Sequence, residues 1–232
     1  NEILEELRLA GSPAIKKIYL NHGAKEPFWG VKIEDLKKIV KKVKKNHNLA
    51  LELYRSGVSD AMYLAGLIAD EKQMTKELLQ EWADQAYWYM LAEYPVAWVT
   101  AESKHGLELA LEWIDSGEEI LETAGWATLS SIASITPDEK LPVEQYAALL
   151  ERVRATIHSS HNRTRYVMNG FVISTGTYLK ELFPKAMEVA VEIDKVYVNV
   201  GETSCKVPFA PEYLQKVFAK QTIGKKRKTA RC

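Results

Sequence analysis

Residues 81–94 of the chain hold five aromatic rings and three carboxylates. Rings at that density can stack on a flat base or a sugar, and a carboxylate fixed among them can stabilise a developing cation. On one continuous helix Asp84, Trp88 and Ala92 would share a face, with Glu81, Gln85, Tyr89 and Glu93 on the neighbouring stripe. Trp88 is therefore a candidate stacking ring, and Glu93 and Asp84 are candidate charge partners. The same rings would serve as plain core if they packed between helices. A second cluster reads Arg152, Arg154, His158, His161, Arg163 and Arg165. Arg163 and Arg165 fall near the expected start of a helix, where free backbone N–H groups and cations together suit a phosphate. Structural ion pairs are the competing role for each. His158 and His161 have no third ligand in reach, and the chain has no glycine-rich phosphate loop and no H-E-x-x-H, so neither metal nor cofactor is expected.

The charge balance narrows the partner. Lysine, arginine, aspartate and glutamate cancel to a net charge of zero, with 47% hydrophobic residues. The cations are nonetheless segregated. Lys32–Lys45 holds seven lysines, including Lys37 and Lys41, and the last thirteen residues hold six cations and no acid, including Lys225, Lys226, Arg227 and Lys228. Acids crowd Glu102–Glu122. Such segregation points to a bound polyanion kept to some faces. No apolar run reaches the ~18 residues needed to span a bilayer. The start lacks a basic and apolar leader pattern, and Cys205 and Cys232 match no zinc or redox spacing. A reduced, cytoplasmic setting and a monomer are the expectation.

The elements that would position these residues are helical. LALELYRSG at Leu49–Gly57 recurs as LALEWIDSG at Leu109–Gly117, identical at six of nine positions. Each copy ends in Ser-Gly and leads to a run containing Ala-Gly. That pattern reads as helix, glycine turn, helix, a unit that buries its apolar face by stacking on its neighbours. Ser12-Pro13, Pro184 and Pro211 mark helix starts, and helices are expected over Val143–Thr156 and from Asn162 to about Tyr178. Pro95 should end or kink the aromatic helix. Lys195–Gly201 alternates as a short extended segment. The expectation is an all-α curved solenoid: one domain over 1–220, then a loosely ordered basic tail over 221–232.

Particular motifs resemble a known family. They are Tyr19-Leu20-Asn21-His22-Gly23, Phe28-Trp29-Gly30-Val31, Ala61–Ile68 and Met168-Asn169-Gly170-Phe171-Val172. With them go Thr203-Ser204-Cys205-Lys206-Val207-Pro208 and Gly224–Thr229, an ending similar to one branch. Over nearly its whole length the chain resembles the DNA alkylation repair family of HEAT-like-repeat proteins, related to the AlkD-type DNA glycosylases. The resemblance implies a solenoid whose basic concave face holds double-stranded DNA. It also implies excision of N3- and N7-alkylpurines without base flipping, by tryptophans on the deoxyribose and an Asp facing the oxocarbenium. Carried over by position, the second Trp of the family pair falls on Trp88. The Asp falls on Ala92, with Glu93 the nearest acid and about 100° away around a helix. An arginine falls near Trp126, and a further Trp falls on Phe171.

The expected function is therefore recognition of damaged, distorted or branched DNA, with excision weak or absent. The expected contacts are Trp88, Trp126, Phe171, Arg163, Arg165, Lys37, Lys41, Lys206 and the tail cations. The alternative is a non-enzymatic helical scaffold that binds a protein or peptide.

Overall fold

The computed structural model describes residues 2–231. Among the described residues the chain is wholly helical, without a strand. Its helices in order are α1 Glu2–Ala10, α2 Pro13–Asn21, α3 Ile33–Val43, α4 His47–Arg55, α5 Ser59–Ile68 and α6 Lys76–Gln85. There follow a composite α7 over residues 89–102, α8 Gly106–Ile114, α9 Glu119–Ile135, α10 Val143–Thr156, α11 Asn162–Tyr178, α12 Phe183–Ile193 and α13 Ala210–Ala219. None is long and apolar enough to cross a membrane.

The repeated nonapeptides are α4 and α8. Each runs into a glycine with positive φ, +70° at Gly57 and +76° at Gly117, which reverses the chain into the next helix at no steric cost. Those next helices belong to an inner row, α5, α7, α9 and α11, in which each packs on its successor. The outer row is α4, α6, α8, α10 and α12. Being enclosed, α5 buries nine of its ten residues and shows no one-sided stripe. Gly66 keeps this row tight: a Cβ there would run into the Pro95 ring. Trp126 of α9, Tyr146 of α10 and Phe171 of α11 form one core stack, with ring centroids 5.0 Å and 5.6 Å apart.

Two local expectations change. The aromatic segment is not one helix: α6 stops at Gln85, and Trp88 is extended at φ −155°. The shared face of Asp84, Trp88 and Ala92 therefore does not exist. Pro95 does not end α7. Its missing N–H and its ring are absorbed by a π-helical turn over Ala92–Val96, and the helix continues to Glu102. Asn162 starts α11, but its side chain turns to the extended segment. It donates to the Asn199 carbonyl and accepts from the Asn199 N–H. That segment alternates as expected, burying Val196 and Val198 and exposing Tyr197.

The largest correction concerns the tail. Residues 224–231 form an ordered strap across the C-terminal ends of the inner helices. Gly224 N–H donates to the Thr177 carbonyl, and Arg227 N–H to that of Ser134. Lys226 Nζ donates to the Ala133 carbonyl at 2.9 Å and pairs with Asp138 at 2.7 Å. Thr229 Oγ1 and the Ala230 N–H both donate to Glu102. Arg231, 11% exposed, pairs with Glu71 and Glu102 and donates to the Ala69 carbonyl at 2.8 Å. The last carbonyls of a helix lack intrahelical partners and carry the negative end of its dipole. A basic strap answers both needs, so it belongs to the domain. Cys232 lies outside the described residues.

Candidate nucleic-acid interface

The opposite, N-terminal ends of the inner helices gather the candidate site. They line a cleft of about 980 Å³, walled by Tyr19, Tyr63, Trp88, Tyr89, Tyr94 and Tyr166. Within it, Arg163 donates from Nε and Nη2 to Glu93 Oε2 at 2.9 and 2.5 Å. Its guanidinium lies between the Tyr89 and Tyr166 rings, 3.7 and 3.9 Å from their centroids. Both partners are largely buried, at 14% and 11% exposed. Burial pushes the Glu93 carboxyl above its ordinary value, and Arg163 opposes that rise. Burial likewise raises the Tyr89 and Tyr166 phenols, while the Glu93 charge, then burial, raise Tyr94. At neutral pH the cleft walls are therefore uncharged phenols. A carboxylate already matched by a guanidinium projects little field, so Glu93 is poorly placed to stabilise an oxocarbenium.

The start of α11 is not an open phosphate site. The Arg163 N–H donates to Glu119 Oε1 at 2.7 Å, and Thr164 Oγ1 to Glu122 Oε2 at 2.8 Å. His161 Nδ1 lies 3.0 Å from the same Glu122 oxygen, a hydrogen bond that raises the imidazole pKa. Carboxylates from α9 thus occupy the positive end of α11. Of the two roles read for Arg163, the structural ion pair is formed, with Glu93. Arg165 differs, with its Nε buried and without a hydrogen-bond partner.

The remaining candidates scatter. Trp88 borders the cleft but is 3% exposed, with Nε1 donating to Ser59 Oγ at 2.8 Å. Trp126 and Phe171, 1% and 0% exposed, are core and offer DNA no surface. Asp84 lies in a separate acidic groove with Lys76, Glu77 and Glu81, and accepts a hydrogen bond from Gln80. Lys37 and Lys41 are exposed four residues apart on α3, and Lys206 is exposed beside the cleft residue Cys205. On the strap Lys225, Arg227 and Lys228 point outward, whereas Lys226 is tied down. The sequence reading missed Tyr166, three residues after Arg163 and so on the same helical face. It also missed His22, whose Nδ1 is 3.3 Å from the Tyr89 hydroxyl.

A family model described as DNA alkylation repair enzyme matches residues 3–214. The chain is 38% identical to an uncharacterized protein, Lin0241, of Listeria innocua, over 91% of this chain and 93% of the relative. It is 37% identical to an uncharacterized protein, Lmo0209, of Listeria monocytogenes, with the same coverage. A solved structure superimposes with a TM-score of 0.91 at 38% identity, covering all of this chain and 98% of the other. That structure is described as a new family of proteins related to the HEAT-like repeat DNA glycosylases with affinity for branched DNA structures.

Proposed function

This chain belongs to the DNA alkylation repair enzyme family, and from that premise we propose that it recognises branched DNA without excising bases. The observation that carries the reading is the buried Glu93–Arg163 pair between Tyr89 and Tyr166. Glycosidic cleavage needs an unmatched carboxylate beside the deoxyribose as positive charge builds. Here the nearest acid is neutralised, and the position carried over for the Asp is the fully buried Ala92. Aromatic surface, by contrast, is plentiful. The affinity for branched DNA described for the solved relative supports the binding half of this reading. Phosphates are held by exposed, unpaired cations, with Lys37, Lys41 and Lys206 the leading candidates.

The test is direct. The full chain is titrated against a four-way junction and a duplex of equal length at several salt concentrations. Junction affinity above duplex affinity is expected, with a log–log salt slope of about −0.9 for each phosphate neutralised on duplex. In parallel, alkylated DNA is incubated under single-turnover conditions and released 7-methylguanine and 3-methyladenine are measured. Release by the wild type that disappears in Glu93→Gln would restore the enzyme. A salt slope near zero would favour a protein-binding scaffold.

A further inference from the structure

Helix α2 is unlike the others, because none of its residues is buried. Tyr19 anchors it, its hydroxyl donating to the Val31 carbonyl and its ring meeting Phe28 and Trp88 at 6.3 and 6.2 Å, while Lys16 pairs with Glu26 and stands over the Phe28 ring. On either side of that anchor Ile18 and Leu20 are 48% and 50% exposed, and both line the aromatic cleft. Two bulky aliphatic side chains therefore stand in solvent at the lip of an aromatic hollow. Across the hollow the loop at Gly201, with φ +77°, comes so close that a Cβ would collide with the Asn21 carbonyl oxygen.

The charges of this site argue against a phosphate as its occupant. Lys25 and Arg163 in the lining face Glu119 and Glu202, and Arg163 is already matched by Glu93. What remains is aromatic and polar: tyrosine faces, and hydrogen-bonding edges at Asn21 and His22. A nucleobase has that chemistry, with flat apolar faces and polar edges. A cation suited to its backbone stands just outside, since Lys17 is exposed on α2. Paired duplex hides its base faces, whereas a branch point exposes them. Apolar wedges are a common device for covering base faces that have lost a stacking neighbour.

We infer that the cleft takes an unpaired nucleobase from a DNA branch point, while Ile18 and Leu20 cover the base pair exposed beside it. This rests on the reading of the protein as a branched-DNA binder. It adds which surface senses the branch. Binding energy comes from phosphates on any DNA and from stacking only where a base face is free.

The test uses the full chain and the double variant Ile18→Ser/Leu20→Ser. The exposure of both residues leaves folding intact, checked by thermal melting. The probes are a three-way junction with one unpaired 2-aminopurine at the branch and a matched duplex. For the wild type, tighter binding to the junction and quenching of the 2-aminopurine by stacked tyrosine are expected. For the variant, junction affinity should fall about tenfold, the size of one stacking contact, with duplex affinity unchanged. If the wild type binds junction and duplex alike, the branched-DNA reading itself fails. If it discriminates while the variant keeps full junction affinity, or while 2-aminopurine fluorescence stays constant, the cleft and its lip are not the sensor.

Discussion

The two ends of the inner helix row meet opposite electrostatic demands with opposite solutions. At the N-terminal ends, acids from neighbouring helices fill the positive poles: Glu119 and Glu122 cap α11, and Glu93 holds Arg163. At the C-terminal ends, a cationic strap covers the negative poles, with Lys226 on Ala133 and Arg231 on Ala69. Both ends bury an arginine, but in different company. Arg231 is fixed by two carboxylates and by helix carbonyls and shows no open face. Arg163 is fixed by one carboxylate and two rings at the edge of a cleft. The first arrangement closes a surface, and the second builds an uncharged one that a ligand can use.

The strongest test of this contrast is to remove the strap. Removing one partner of a buried ion pair costs about 3–5 kcal/mol. Arg231→Ala should therefore lower the melting temperature by roughly 10 °C, with truncation after Ile223 lowering it further. Unchanged melting would mean that the helix ends do not need the strap. Arg163→Ala comes next. It leaves Glu93 buried without its cation and should cost about 3 kcal/mol in chemical denaturation, the lower end of that range. Arg163→Lys should recover only part of this, since an ammonium cannot stack between two rings.

Acid should separate the two ends more gently. At Glu71 burial pushes the carboxyl up, but the Lys45 hydrogen bond, a backbone N–H and the Arg231 charge outweigh it, so the group sits below its ordinary value. A carboxyl depressed in the folded state stabilises it above the unfolded pKa, about 4.3 for glutamate, and that contribution is lost as pH falls through the folded value. Melting followed over this range should show wild type losing stability that Glu71→Gln never had. The smallest effect is expected at His161, which is half exposed. Its raised pKa gives stability that is complete below about pH 6.5 and disappears as pH rises through the folded value. His161→Gln should lower the melting temperature by about 1 °C on the acid side and not at alkaline pH.

The helices were legible wherever the chain carries its own punctuation. Pro13, Pro211, Gly57 and Gly117 act within one turn of the backbone, so their meaning does not depend on distant contacts. The family and the solenoid followed from the repeat and from motifs spread along the chain. The site was less legible. Nothing at Ala86–Trp88 signals the break between α6 and α7, because no glycine or proline marks it. Glu93 and Arg163 lie seventy residues apart, and only the stacking of the inner row brings them together. The strap was misread for a related reason. Its composition matches that of a solvated tail, and the carbonyls that order it belong to helices far back in the sequence.

Contacts that span the molecule also change how a row of repeats can come apart. Repeats fastened only to their neighbours peel inward from the ends. In this chain Arg231 is pinned to Glu71, and the Gly201 loop is seated on the end of α2, so the row is latched at both poles into a hoop. A hoop has no loose end from which to fray. Its middle repeats should exchange amide protons only when the whole ring opens, as one event. A cut in the connection after Ile135 would leave two fragments still clasped by the strap, able to find each other again after mild denaturation.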